Sequence, residues 1–325
     1  MKSNMDKLYA IGVDMGGTNT VIGLVDRRGN IPVRSAVGTV DYSTGESYVA
    51  ALGNAINELI TQNNFAGKVT GIGMGVPNGN MNDGTVEKAA NIPWAKSTVV
   101  PLAAMISEKT GLPCKLTNDA NAAALGEMTY GAAKGLKDFI VITLGTGLGS
   151  GIVAGGQLIV GHDGFAGELG HTRTVRHNGR LCGCGRTGCL ETYASATGVA
   201  RTAREFLELY PERETLLRNI TARPITSKNV YEAARSGDAM AVEIFEFTGR
   251  ILGGALADFI AFSSPKAIIL FGGLAHAGNF LLDPLRKAMA KNVLSIYEGK
   301  TEITVSRLND AEAAVLGASA LAWEA

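Results

Sequence analysis

A short apolar strand that runs into a glycine-threonine turn and comes back as a second strand occurs twice in this chain. The first copy runs from Leu8 to Val13 into Asp14-Met15-Gly16-Gly17-Thr18-Asn19, continues as the alternating TVIGLVD, and turns again at Arg28-Gly29-Asn30. About 130 residues later, Phe139 to Leu144 runs into Gly145-Thr146-Gly147-Leu148-Gly149-Ser150-Gly151, followed by IVAGG and Gln157 to Val160. Apolar runs bounded by glycine turns read as β-hairpins. Glycines leave backbone N–H groups free to approach phosphate oxygens, Thr18 adds a hydroxyl, and a carboxylate such as Asp14 suits hydrated Mg²⁺. Alone, the first copy reads better as an ordinary tight hairpin. Two copies facing each other could hold one triphosphate between two lobes, which neither could do alone. Neither fits G-x-x-x-x-G-K-[ST] or G-x-G-x-x-G, which argues against a P-loop and against a Rossmann dehydrogenase.

The second constraint is the stretch from Glu168 to Glu191, ELGHTRTVRHNGRLCGCGRTGCLE, which holds three of the four cysteines. Cys182, Cys184 and Cys189 follow a C-x-C-x4-C pattern, and His171 lies upstream of the first. Four such ligands suit a closed, structural zinc site, because a catalytic zinc keeps one position open. The alternatives are a disulfide or cysteines used as small core residues. Gly183, Gly185 and Gly188, interleaved with them, suit a metal-wrapping loop better than a core segment, and nothing signals an oxidising compartment. Cys114, between Pro113 and Lys115, reads as packing.

A chain of 325 residues has room for about two domains. Thirty basic and 30 acidic residues balance, which removes any whole-protein case for nucleic acid or an anionic membrane as partner. Glycine, with 42 residues, is roughly twice its ordinary share of about 7%, clustered at strand ends. MKSNMDKLYAIGVD has no apolar leader, and no run approaches the ~18 apolar residues of a membrane span, so a cytoplasmic protein is expected. The sequon Asn219-Ile220-Thr221 reads as chance.

Between the two glycine turns the pattern predicts a helix over 45–63, a strand in VTGIGMGVPNGN with a rigid turn at its end, and a hairpin turn at Asp83-Gly84-Thr85. A loop at Asn91-Ile92-Pro93-Trp94 offers Asn91 and an indole to a pocket. A helix over 101–110 closed by Gly111 and a strand over 115–117 then lead into Asn118-Asp119 and an alanine-rich helix. Asp119 has two readings of equal weight. One of the Asn118-Asp119 pair is accounted for as an N-cap, while a carboxylate at a strand-to-helix turn near a phosphate cleft is where a general base would sit. Further on, helices are expected over 191–209, 231–236 and 239–262. A buried strand over 266–271 ends in the glycine turn Gly272-Gly273-Leu274, which lets backbone approach a flat ligand. A helix over 279–291, the strand TEITVS and a last helix over 310–323 complete an α/β pattern. The segment 210–228 is assigned no function.

DMGGTN, NDANAAALGE, LGTGLGSG, AGELGH, CGCGRTGCLE and LFGG, in this order, resemble the ROK family of sugar kinases over essentially the whole length, and within it the bacterial glucokinase branch. The resemblance implies the two-lobed actin-like ATPase (ribonuclease H-like) α/β fold. The lobes would be a small one over 1–117, with the helix over 310–325 returning to it, and a large one over 118–309 carrying the zinc loop 168–191. Asp14, Gly16, Gly17, Thr18 and Asn19, with Gly145, Thr146 and Gly147, then match phosphate turns, and Gly272-Gly273 the adenosine turn. Asp119 matches the catalytic base. Asn118, Glu168, His171 and Glu191 match residues that bind sugar hydroxyls, with Asn91 a further candidate, and His171, Cys182, Cys184 and Cys189 match the zinc ligands. The implied activity is Mg²⁺- and ATP-dependent phosphorylation of glucose at its 6-hydroxyl, by a homodimer carrying a structural zinc. An N-acetylmannosamine or N-acetylglucosamine kinase is the alternative, and a non-catalytic sugar sensor a third reading. A repressor would need a helix-turn-helix module ahead of the first turn, for which the dozen residues there leave no room.

Overall fold

The computed structural model describes residues 8–89, 91–220 and 224–323. The first seven residues, Thr221 of the sequon and the last two residues lie outside them. Contacts divide the chain into two units, one of Met1–Leu136, Gly151–Gly167 and Arg307–Ala325, the other of Lys137–Ser150 and Glu168–Ser306. Among the described residues no helix is long and apolar enough to cross a membrane.

The first unit is built on β1 (Tyr9–Met15), β2 (Asn19–Asp26), β3 (Val33–Gly38), β4 (Val69–Gly75) and β8 (Cys114–Thr117), in the order β3-β2-β1-β4-β8. A small second sheet is made by β5 (Gly79–Asn80), β6 (Thr85–Glu87) and β7 (Val99–Val100). β1 to β3 form antiparallel hairpins, whereas β4 and β8 run parallel to β1. The register sets Asp14 beside Gly75 and Gly75 beside Thr117, so the carboxyl ends of three parallel strands share one edge. In open α/β sheets that edge is where ligands bind.

Helix α1 (Gly45–Gln62) starts at Thr44, whose side chain accepts from Ser47 N in a capping box. It buries Tyr48, Val49, Leu52, Ile56, Leu59 and Ile60 at helical spacing against Ile11, Val13, Ile22, Leu24, Ile72 and Met74 of the sheet. Helix α2 (Leu102–Thr110) ends at Gly111 in the left-handed conformation. Helices α3 (Asp119–Tyr130) and α9 (Asp310–Trp323) belong to this unit as well. α9 lies directly on the strands, because a Cβ on Gly12 would stand 2.0 Å from Val315 O and one on Gly73 1.9 Å from Ala318 O. Gly126 of α3 also meets α9, since a Cβ there would come 2.9 Å from Gly317 Cα. This backbone-to-backbone approach puts α3 in the first unit, so the contact-defined limits differ from the 1–117 and 118–309 division drawn from the resemblance.

The second sheet has β9 (Phe139–Leu144), β10 (Leu148–Ala154), β11 (Gln157–Leu158), β12 (Ala267–Phe271) and β13 (Glu302–Val305) in the order β11-β10-β9-β12-β13. Its plan repeats the first: a meander of two hairpins, then two strands parallel to the first. Two sheets of one plan, each with a glycine turn between its first two strands, give the actin-like ATPase fold. The second unit also holds α4 (Glu191–Ala194), α5 (Ala196–Leu209), α6 (Ser227–Arg235), α7 (Ala239–Ser263) and α8 (Asn279–Asn292).

One expected helix is broken. Residues 191–209 form α4 and α5, because Ser195 is extended (φ −91°, ψ 172°) and caps α5, accepting from Gly198 N at 3.1 Å. The break serves the second glycine turn. Ala196 N donates to Gly145 O at 2.9 Å, and Thr197 Oγ1 to Thr146 O at 2.7 Å.

Candidate active site and metal centre

In the first unit, Asp14 is the next-to-last residue of β1 and Asn118-Asp119 follow β8 on the same sheet edge. The pair at 118–119 divides its work. Asn118 is the N-cap, its Oδ1 accepting from Asn121 N at 2.7 Å, and Asn121 Nδ2 in turn donates to Thr117 Oγ1 at 3.2 Å. Asp119 is thereby left out of capping; its Oδ1 accepts from the neighbouring Ala120 N at 2.9 Å, and its carboxylate also accepts from its own backbone N–H. The Asp119 side chain reaches solvent, yet protein crowds its remaining sides. Burial raises its pKa, against the lowering effect of backbone N–H bonds. Asp14 is raised from 3.8 to about 6, first by burial and then by the charge of Asp119. Two mutually repelling carboxylates supply the hard oxygen donors that Mg²⁺ takes, so the residues fit such an ion.

The first glycine turn is closed by Gly16 N donating to Asn19 O at 3.0 Å. Asn91 borders it, since a Cβ on Gly17 would come 3.3 Å from Asn91 Cβ. Behind the turn lies a buried network that has no signature in the sequence. Thr39 N donates to Thr18 O at 2.7 Å, and Thr20 Oγ1 contacts Thr39 Oγ1 at 2.9 Å and Tyr48 Oη at 2.7 Å. The Tyr48 ring packs on Trp94, centroids 4.9 Å apart. The indole is largely buried in this core, and what it still shows lines a hollow with Thr44, Val99 and Pro101.

In the second unit, Gly145 N donates to Gly147 O at 3.1 Å in the turn after β9. The Gly272 turn follows β12, which runs parallel to β9 with Phe271 beside Thr143. Gly272 has φ +98° and passes so close to β9 that a Cβ would sit 3.0 Å from Leu144 O, a position only glycine fills without strain. Glu191 lies against the glycine turn, Oε2 accepting from Leu148 N at 3.0 Å. Its other oxygen, Oε1, is 3.6 Å from Cys182 Sγ. A hollow of about 680 Å³ beside this segment, lined by Leu169, Thr172, Arg173, Arg176, Phe259 and Phe262 among others, contains none of the candidate sugar residues.

The ligand atoms of His171, Cys182, Cys184 and Cys189 all lie within 4.8 Å of one another. Cys182 Sγ is 3.7 Å from His171 Nδ1, and Cys184 Sγ is 3.7 Å from Cys189 Sγ. A tetrahedron of bonds near 2.3 Å has edges of roughly 3.7 Å, so the four donors fit zinc. The same spacing speaks against a disulfide, which needs about 2.05 Å. The loop is a tight hairpin, with Cys182 N donating to Arg186 O at 2.8 Å and Gly185 N to Cys182 O at 3.0 Å. Burial pushes the Cys182 thiol up to about 12 and raises Cys189, whereas the exposed Cys184 loses some hydration, which raises it, but is lowered on balance by bonds from Arg186 N and the two other thiols. The two nitrogens of His171 are divided: Nδ1 faces the sulfurs, and Nε2 is 3.9 Å from Glu168 Oε2. Cys114 is half-buried against the core of the first unit, its thiol pushed up to about 12 by burial, as packing requires.

The candidate residues thus fall into two groups. Asp14, Gly16 to Asn19, Asn91, Asn118 and Asp119 belong to the first unit, and Gly145 to Gly147, Glu168, His171, the three cysteines, Glu191 and Gly272-Gly273 to the second.

Comparison with known proteins agrees in length and content. A glucokinase of Streptomyces coelicolor is 37% identical over 319 residues, 97% of each chain. One of Halalkalibacterium halodurans is 35% identical over 315 residues, 96% of this chain and 94% of that one. The crystal structure of a ROK family glucokinase from Streptomyces griseus in complex with glucose and AMPPNP is similar with a TM-score of 0.78 and 37% identity, covering 98% of this chain and all of that one. Residues 10–325 match the ROK family, and the chain belongs to it.

Proposed function

We propose that this protein is an ATP-dependent hexose kinase that phosphorylates glucose at its 6-hydroxyl. The observation that carries the chemistry is Asp119, a carboxylate with a raised pKa at the start of α3, relieved of capping by Asn118. Such a group accepts a proton from a hydroxyl as the hydroxyl oxygen bonds to phosphorus. Glucose as substrate rests on full-length relatives with that activity.

In this reading the 6-hydroxyl attacks the γ-phosphorus in line and Asp119 takes its proton. Backbone N–H groups of the Gly16-Gly17-Thr18-Asn19 and Gly145-Thr146-Gly147 turns hold the phosphates, and the Gly272-Gly273 turn accommodates the adenosine. Mg²⁺, when bound, neutralises phosphate charge, and Asp14 is the residue that would hold it. Positioning and electrostatics supply most of the acceleration in such transfers. Asn118, Asn91, Glu168, Glu191 and His171 bind the sugar. With Nδ1 on zinc, the tautomer of His171 is set and Nε2–H faces the hydroxyl side as a donor. The zinc braces the substrate site and takes no part in transfer. A homodimer in the cytoplasm completes the proposal, supported by the resemblance to the family.

The test is ADP release with Mg·ATP, comparing glucose, N-acetylglucosamine, N-acetylmannosamine, mannose and fructose by kcat/KM. Glucose should lead by more than about tenfold, a difference of ~1.4 kcal/mol in transition-state binding. Preference for an acetamido sugar would reassign the substrate while keeping the mechanism, and no turnover with any of them would refute the kinase.

A further inference from the structure

Arg180 is a buried cation, only 7% exposed, at the base of the cysteine hairpin. A charge in such a place is tolerated only if paired and hydrogen-bonded throughout. Its Nε and Nη2 both reach Glu205 Oε2 of α5, the former at 3.0 Å, and Nη2 donates to Thr202 Oγ1 at 2.9 Å. Nη1 donates to Thr192 O at 2.7 Å, in the turn of α4 that carries Glu191, and to Gly198 O at 3.4 Å. The guanidinium lies 4.4 Å from the Tyr193 ring centroid. The backbone is held too: Arg180 N donates to Tyr193 Oη at 2.9 Å, and Arg180 O accepts from Gly188 N at 2.8 Å. Arg201 adds a second tie, from Nε to Glu205 Oε1 at 2.9 Å and from Nη1 to Leu181 O, next to Cys182, at 3.1 Å.

We infer that Arg180 is a positioning residue that joins the zinc hairpin, the Glu191 turn and α5 into one preformed body, so that zinc affinity and hexose affinity depend on it together. The physical reason is reach. Residues 180–188 form a small hairpin with few apolar contacts of its own, and its glycines give it little stiffness. The planar fork of an arginine binds a carboxylate, two carbonyls and a hydroxyl at once and stacks on an aromatic face, which a lysine cannot do. The ligand set is therefore held close to its bound arrangement before the metal arrives, and the backbone just after Glu191 is held by the same side chain, through Thr192 O. The hexose half of this inference rests on the proposed function, whereas the zinc half does not.

The test compares wild type with Arg180→Met, which keeps the stem and removes the fork. Zinc affinity is read by competition with a chromophoric chelator, KM and kcat for glucose by ADP release, and folding by thermal melting. For a residue that orients metal ligands without touching the metal, zinc affinity should fall about 10- to 100-fold. Glucose KM should rise at least about fivefold, with KM for Mg·ATP within about twofold of wild type. A folded Arg180→Met protein whose zinc affinity and glucose KM both stay within about twofold of wild type overturns the inference. If that variant does not fold, Arg180→Lys keeps the charge and loses the fork, and a zinc affinity and glucose KM unchanged there overturn it equally. Wild-type protein that binds zinc but turns over no sugar would defeat the proposed function and leave the zinc comparison decisive; wild-type protein that binds no zinc would overturn the inference itself.

Discussion

Replacing Asp119 by asparagine tests the chemistry with little disturbance of the fold. The helix start does not depend on the carboxylate: Asn118 Oδ1 holds Asn121 N at 2.7 Å, and an asparagine Oδ1 can keep the 2.9 Å bond from Ala120 N. What is lost on the stability side is the attraction of a negative charge for a helix N-terminus, about 0.3–1 kcal/mol. This is offset by relief of the burial that raises the pKa of Asp119. Net stability should therefore change by less than about 1 kcal/mol. The catalytic loss is larger. Removing a general base costs at least about 10²-fold in kcat, or ~2.7 kcal/mol at about 1.36 kcal/mol per tenfold. The assay is ADP release at saturating glucose and Mg·ATP, with glucose binding measured by calorimetry and folding by thermal melting. Glucose should still bind within about threefold of wild type. A folded Asp119→Asn protein whose kcat stays within about threefold of wild type would refute the assignment of Asp119 as base.

Asp14, with its pKa raised from 3.8 to about 6, holds its proton more tightly in the folded than in the unfolded state. Stability should then fall as pH rises from about 4 to 6, so Asp14→Asn should raise it at pH 8 by on the order of 3 kcal/mol, a gain absent at pH 4, while abolishing turnover. Denaturant unfolding at the two pH values checks this, and a gain that does not change with pH would contradict it. Stripping zinc with a chelator should raise glucose KM far more than KM for Mg·ATP; full activity in protein shown by elemental analysis to be metal-free would end the idea of a zinc brace. Gly73→Ala sets a methyl 1.9 Å from Ala318 O and should cost about 1–3 kcal/mol or more in urea unfolding; unchanged stability would mean that α9 does not lie on β4 as described.

Much of the fold can be read from local pattern, because hairpins, glycine turns and capped helices are set by neighbours in the chain. The two strand-turn-strand copies, the helix starting at Gly45 and the close of α2 at Gly111 are of this kind. The zinc ligands are equally legible, since three cysteines on one short hairpin meet whatever surrounds them and only His171 has to be brought in. Asn118 and Asp119 mark the limit. Composition makes either a cap, and only the backbone geometry at the end of β8 gives the capping bond to Asn118 and leaves Asp119 for other work. The break at Ser195 lies in a run with no proline, and it exists because α5 reaches the carbonyls of Gly145 and Thr146, some 50 positions earlier.

What the sequence by itself determined is the repeated architecture and the chemical make-up of the candidate site: carboxylates at strand ends, glycines in the strand turns, and soft ligands in one loop. What only the tertiary structure decided is which long-range partner each group receives. Tyr48 reaches Thr20 from a helix 28 positions away, Arg180 finds Glu205 across 25 positions, and Asp14 acquires its raised pKa from burial and from Asp119, a residue more than 100 positions on. Covalent neighbours control dihedral angles and periodicity within a few residues. Burial, charge proximity and shared hydrogen bonds depend on distances in space, and those exist only once the sheets have formed and the helices have packed on them.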